Sequence, residues 1–431
     1  MTDDRNPMII LSFDAVGTED LPYLKTLPHF SRFWREGAMC EKVKSVYPSL
    51  TYPAHTTIVT GRYPSGHGVV NNIRFQPKRV SPDWFWQRKY IRGETLYDAV
   101  RKNGGKTAAL LWPVTGRGKI RYNLPEVFPN RKWQNQIMVS AWNGSLKYEL
   151  ELEKRFGSLR KGIRQPELDH FVQASLLYTV ERYRPDLTLV HFTDVDTNRH
   201  LYGVDSREAK EALHRHDGRL GALLDLLDQM GWGERANVVI LGDHYQKNVE
   251  QAVCPNYFFR KHNWIEIKNG RIHKWKVLAW ECDGSCYIYV KDKNLTGQVM
   301  EVLQQMVRQH LCLRIYRGKE AAAMGADPDC TFMLEGVKGT YFQNGWKKPV
   351  CTEKAKLQKA THGYHPDGEG YTTFFGGKGP DFKRGGWEET MDLIDEGPTL
   401  AAALKVRLDS ADGIARKKLL SISSDRVYNK K

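Results

Sequence analysis

Three short apolar runs in this chain each end in acidic residues. Residues 8–13 run into Asp14, residues 187–192 into Thr193, Asp194 and Asp196, and residues 238–241 into Gly242, Asp243 and His244. None shows the strict polar alternation of a half-exposed strand, so each reads as a strand buried on both faces of a parallel sheet. A fourth run, 107–112, is of the same kind and ends in Pro113. Helical spacing separates the strands. It is clearest over 206–230, where Leu213, Leu220, Leu223, Leu224 and Leu227 share a face. Asp205 or Ser206 can cap its start and Gly231 can end it. Strand–helix alternation of this sort means an α/β fold with a mostly parallel sheet flanked by helices. Such sheets gather their functional groups at the carboxyl ends of the strands, where these acids stand.

Between His244 and Lys359 the rhythm changes. Residues 264–276 and 277–290 read as antiparallel strands and 295–310 as a helix. This predicts a smaller α+β cap, residues 247–358, inserted into a core made of residues 1–246 and 359–431. The chain rejoins the core with His362 and a closing helix over 398–406. No repeat, low-complexity tract or Pro-rich linker separates the parts, so they are expected to pack together.

Composition narrows the class. With 41% hydrophobic and 27% charged residues among 431, disorder and fibre are excluded. No run approaches the ~18 apolar residues of a membrane span. The apolar run after the polar residues 1–7 is too short for the core of a secretion signal. Seven cysteines, an odd number scattered from Cys40 to Cys351, make no disulfide framework. Only Cys282 and Cys286 lie close together, and reduced thiols are expected. The expectation is a cytoplasmic protein. Basic residues outnumber acidic ones 65 to 50, with groups at 160–164 and 416–418, but no nucleic-acid-binding motif accompanies them. Most of this charge reads as solvated surface, and no specific nucleic-acid binding is expected.

The most informative stretch is 47–72, YPSLTYPAHTTIVTGRYPSGHGVVNN. Pro53 and Gly61 bracket a short helix, which puts Thr51 at or just before its N-terminus, where free N–H groups and the dipole favour an anion. Thr51 is then either a plain N-cap or a nucleophile awaiting activation. Potential metal ligands surround the question. Asp196 and His200 are spaced i, i+4; Asp243 and His244 are adjacent; Asp14 ends a third strand; His362 lies in Thr361-His362-Gly363-Tyr364. Carboxylate and imidazole suit zinc, or manganese where oxygen dominates.

In order along residues 8–366, Phe13-Asp14, Thr51-Tyr52-Pro53-Ala54-His55, Thr60-Gly61-Arg62-Tyr63-Pro64, His67-Gly68, Asn72, Trp112-Pro113, Asp196 to His200, Asp243-His244 and His362-Gly363-Tyr364 resemble the nucleotide pyrophosphatase/phosphodiesterase branch of the alkaline phosphatase superfamily. The resemblance implies an alkaline-phosphatase-like core and two Zn2+ per chain, with Mn2+ or another divalent cation as substitutes. Asp14, Thr51, Asp243 and His244 would hold one ion, and Asp196, His200 and His362 the other. Thr51 would attack phosphorus and form a phosphothreonine intermediate, with two metals clamping the entering and departing oxygens. Asn72 and the Thr51 N–H would bind a phosphoryl oxygen. His55 and His67 belong to the matching segments but read as structural, as do His216 and Asp217; for Asp194 a second-sphere role, a salt bridge and a cap all stay open.

The implied substrate is a small phosphate ester of nucleotide type, cleaved at a phosphodiester or pyrophosphate bond. Tyr52 and the Trp112 region would line the pocket for its second organic group, unless they are simply core. A phosphomonoesterase or phosphonate hydrolase using the same site is the alternative, and a basic nucleic-acid-binding protein with a structural metal is a third reading. Thr51-Tyr52-Pro53-Ala54-His55 stands where a sulfatase would carry its Cys/Ser-x-Pro-x-Arg motif, which argues against sulfate esters. Two departures border the site: Tyr245-Gln246 replace the usual Gly and Met, and Thr193-Asp194-Val195 replace Glu-Glu-Pro. Oligomeric state is not legible.

Overall fold

The computed structural model describes residues 5–421; residues 1–4 and 422–431, the outer ends of the expected core, lie outside the described residues. The central sheet runs, edge to edge, Trp387–Glu388, Ala38–Lys44, Thr373–Lys378, Asn237–Leu241, Met8–Phe13, Leu187–Phe192, Thr107–Leu110 and Tyr122–Leu124, with Met391–Asp392 pairing beside Ala38–Lys44. Met8–Phe13 lies between Leu187–Phe192 and Asn237–Leu241, parallel to both. Thr373–Lys378 alone enters antiparallel, between Asn237–Leu241 and Ala38–Lys44.

Register explains why three distant acids meet. Phe13 pairs with Phe192 and Ser12 with Leu241, so all three strands end at one edge. Alternate side chains then feed two cores. Met8, Ile10, Leu189 and Val239 pack under helices Thr51–Thr60 and Glu396–Ala403. Ile9, Leu11, Val190 and Ile240 pack under Pro28–Glu36, Glu167–Tyr183 and Arg207–Gln229. Ser206 caps the last of these through the Ala209 N–H, and Gly231 turns the chain away with φ of +68°.

The expected strands 264–276 and 277–290 each resolve further. Ile265–Lys268 pairs with Arg271–Trp275, and Val277–Cys282 forms a hairpin with Ser285–Val290. The hairpin joins Phe332–Glu335 and Arg314–Arg317 in a four-stranded antiparallel sheet, backed by helix Thr296–Arg308. This sheet grips the Thr51 side of the core. Tyr47 donates to Glu335 at 2.8 Å, Asn71 Nδ2 to the Glu281 carbonyl at 2.8 Å, and Gly284 N–H to the His362 carbonyl at 2.8 Å. Gly363, at φ of +84°, is required beside it, because a Cβ there would stand 1.9 Å from the Cys282 carbonyl. Cys282 and Cys286 are buried and, like the other five cysteines, unpaired. Among the described residues no helix is long and apolar enough to cross a membrane.

Candidate active site

Thr51 is the first residue of its helix, and Leu50 takes the N-cap position with an extended backbone. The plain N-cap reading therefore fails. The Thr51 hydroxyl instead lies 3.1 Å from His244 Nε2. Its own N–H, in the first turn, has no acceptor among the described residues. Asn72 accepts from the Tyr52 N–H at 2.9 Å through its side-chain oxygen, which leaves the Asn72 amide hydrogens free to donate.

The seven residues expected as ligands, Thr51 included, are brought together. Asp14, Asp243 and His244 form one buried group and Asp196, His200 and His362 a second, the ligating atoms of each within 4.8 Å of one another. The groups touch: the His244 and His362 rings are 4.3 Å apart. Asp14 and Asp243 lie at adjacent strand ends. Asp196 and His200 lie one turn apart on helix Asp194–Tyr202, with Asp196 Oδ1 3.3 Å from His200 Nε2. His200 Nδ1 faces the Ala360 carbonyl at 2.8 Å, which leaves Nε2 as the inward donor.

These donors fit a divalent cation. Asp14 Oδ1 and Asp243 Oδ2 are buried without a hydrogen-bond partner. The opposite oxygen of each carboxylate is held, by His191 Nε2 at 2.9 Å and by the Ala15 N–H at 3.2 Å. Burial pushes the Asp14 carboxyl up to about 7, with Asp196 adding to the rise. Burial, then Asp14, raises Asp243 well above the carboxylate range. Two such groups resist ionising together unless a positive charge lies between them. In the second group burial would raise Asp196, but His200 and His362 outweigh it and hold the carboxyl low. Burial opposes the charge on His200, yet Asp196 lifts it to about 9. Burial depresses His244 and His362, as neutral imidazole ligands require.

Tyr52 and Trp112 do not present faces to a ligand. Both are fully buried at 0% exposure; Trp112 packs edge-on against His55, and the Tyr52 hydroxyl donates to Glu126 at 3.1 Å. Of the two readings the sequence left open, pocket lining and core, both rings take the core one, since a base could reach neither without displacing its neighbours. The aromatic surface lies one ring further out. Trp84 contacts Tyr52 at 5.2 Å and helps line a cavity of about 450 Å³ with Trp86, Tyr90, Trp133, Met138 and Trp142.

The residues read as structural behave so. His55 bonds the Thr51 carbonyl at 2.8 Å and Ser12 at 2.9 Å; His67 bonds Thr57 at 3.0 Å. Asp217 accepts from the N–H groups of His29 and Phe30, and the His216 ring lies against Phe13. Asp194 is a buried salt bridge to Arg215 and Arg219. Sequence reasoning missed His191, Glu126, Gln246 as a partner of Asp196 (2.5 Å), and Asp283, 3.6 Å from His362. A histidine inside an otherwise apolar buried strand was the one visible signal for His191; Glu126 and Asp283 sit in segments whose spacing marks nothing.

A mostly parallel sheet carrying two acid–imidazole clusters and a helix-start hydroxyl at its carboxyl edge has the alkaline-phosphatase-like architecture. The family model described as type I phosphodiesterase / nucleotide pyrophosphatase matches residues 8–365, and the chain belongs to that family. Members of the family depend on divalent cations. Human ectonucleotide pyrophosphatase/phosphodiesterase family member 1 is 25% identical over 281 residues, 62% of this chain and 26% of its own length. A venom phosphodiesterase of Macrovipera lebetinus is 26% identical over 266 residues, 58% and 26% respectively. The chain thus spans about a quarter of the length of these relatives. Murine ectonucleotide pyrophosphatase/phosphodiesterase 5 shares the fold, with a TM-score of 0.68 at 19% identity, covering 96% of this chain and 100% of that one.

Proposed function

We propose that the protein hydrolyses phosphodiester or pyrophosphate bonds of nucleotide-type substrates through a phosphothreonine intermediate on Thr51. The observation that carries this is the Thr51 hydroxyl, 3.1 Å from His244 Nε2, where the two ligand groups meet. Two Zn2+ ions are the proposed cofactors, one with Asp14, Asp243, His244 and Thr51, the other with Asp196, His200 and His362. When bound, they supply Lewis acidity that favours loss of the hydroxyl proton and charge on the departing oxygen.

The chain does the rest. Thr51 Oγ1 bonds to phosphorus as the bond from phosphorus to the leaving oxygen breaks. Water then cleaves the phosphothreonine, restoring the hydroxyl and releasing the phosphorylated product. In this reading Asn72 Nδ2 and the Thr51 N–H donate to a non-bridging phosphoryl oxygen, where charge accumulates. Trp84, packed on Tyr52, belongs to a tryptophan-lined cavity, and the diester reading assigns the second organic group to it. The division into a core (1–246, 359–431) and a cap (247–358), and a cytoplasmic location, belong to the same proposal; seven unpaired cysteines support the latter.

Parallel assays on a nitrophenyl nucleotide diester and a nitrophenyl monoester, with metal analysis, test this. Diester preference with about two zincs per chain is expected. Monoester preference would shift the reading to a phosphomonoesterase. Thr51→Ala should lose at least roughly a thousandfold in kcat while largely keeping its metal, and full activity in that variant would end the covalent mechanism.

A further inference from the structure

A hydrogen-bonded chain runs from the nucleophile helix to a proposed metal ligand without using any other ligand. The Tyr52 hydroxyl donates to Glu126 Oε1 at 3.1 Å, Glu126 Oε2 faces His191 Nδ1 at 2.9 Å, and His191 Nε2 faces Asp14 Oδ2 at 2.9 Å. The four residues come from four separate segments, and Tyr52, His191 and Asp14 are at most 2% exposed. Both edges of the His191 ring are therefore held. Its Nδ1 also lies 3.2 Å from the Leu111 carbonyl, and its face meets His55 at 4.4 Å.

The division of labour on Asp14 is informative. Oδ2 is occupied by His191, while Oδ1, buried and without a partner, lies 3.4 Å from His244 Nε2 in the first ligand group. A carboxylate on a single Cβ can turn about its last torsion, and that torsion is broad. A donor on Oδ2 stops the rotation and aims Oδ1 at the ligand group. A donor that is itself clamped does so with less lost freedom, as outer partners of metal ligands do.

We infer that His191 and Glu126 are positioning residues for the Asp14/Asp243/His244 cation site, with Glu126 locking the His191 ring and His191 aiming Asp14. The second group, Asp196, His200 and His362, has its own outer partners in Gln246 and the Ala360 carbonyl, so the dyad serves one site only.

The inference rests on the cation reading above, and the test separates the two. Zinc affinities of metal-free wild type, His191→Phe and Glu126→Gln are measured by competition with a chromophoric chelator, alongside melting temperature. His191→Phe should lose about 10–100-fold in affinity for one of the two ions and leave the other unchanged. Glu126→Gln keeps the side-chain volume at a position 21% exposed and should weaken the same ion by about tenfold. Wild-type affinities in Glu126→Gln, or equal loss for both ions with a lowered melting temperature, would overturn the positioning role. If His191→Phe fails to fold, Glu126→Gln decides. A wild-type protein that takes up no zinc would sink the cation reading itself, whereas normal uptake with unchanged variants sinks only the dyad.

Discussion

Replacing Asp14 with asparagine makes opposite demands on the metal-free and metal-loaded protein. Asp14 is 2% exposed, and burial followed by the nearby Asp196 raises its carboxyl from 3.8 to about 7. A carboxyl whose folded value lies above its unfolded one favours the folded state only while it keeps its proton. Without cations, stability should therefore fall as pH rises from about 4 to about 7, and stay lower above that. Moving from 3.8 to about 7 is worth about 4 kcal/mol above neutral pH. Asparagine carries no charge and still offers His191 an oxygen, so Asp14→Asn should recover that amount when metal is absent. At about 2.1 cal/mol/K per residue, 431 residues unfold with about 0.9 kcal/mol/K, which turns 4 kcal/mol into roughly 4–5 °C. Scanning calorimetry of chelator-treated proteins should show Asp14→Asn melting that much higher near pH 8, with the gap reduced by more than half near pH 5. Adding zinc should raise the melting temperature of the parent and do much less for the variant. Equal responses of both proteins to zinc, or a metal-free variant that melts lower near pH 8, would refute the idea that Asp14 is a carboxylate waiting for a cation.

Other outcomes follow from single side chains. Asp194→Ala leaves Arg219 buried opposite a lost partner and should cost about 3–5 kcal/mol in urea unfolding. Burial raises Glu149 to about 7, and its Oε1 has no partner. Glu149→Gln should add on the order of 3 kcal/mol near pH 8, a gain that falls away as pH drops from about 7 to about 4.5 and the parent carboxyl takes up its proton. Gly61 sits at φ of +66°, with Pro398 Cδ 2.6 Å from the place of a Cβ; Gly61→Ala should lose about 2 kcal/mol or more and loosen the closing helix from the Thr51 helix, read by hydrogen exchange.

Apolar runs ending in acids, the proline and glycine around Thr51, and the i, i+4 pair Asp196/His200 were legible because they depend on local rules: strand burial, helix punctuation and helix periodicity. These marked the parallel sheet, the Thr51 helix and every proposed ligand but His362, which rested on the family resemblance. Tertiary structure decided what local rules do not reach. Strand register put Asp14, Asp196 and Asp243 at one edge. The antiparallel entry of Thr373–Lys378 and the grip of the four-stranded sheet brought His362 to the same place. Packing decided for core over pocket lining at Tyr52 and Trp112, and left the aromatic surface to Trp84 and its neighbours. It also joined Glu126 to His191, 65 residues apart, in a contact that no periodicity encodes. Which atoms point inward follows from burial and from where the remaining hydrogen bonds go, and both exist only once the chain has closed on itself.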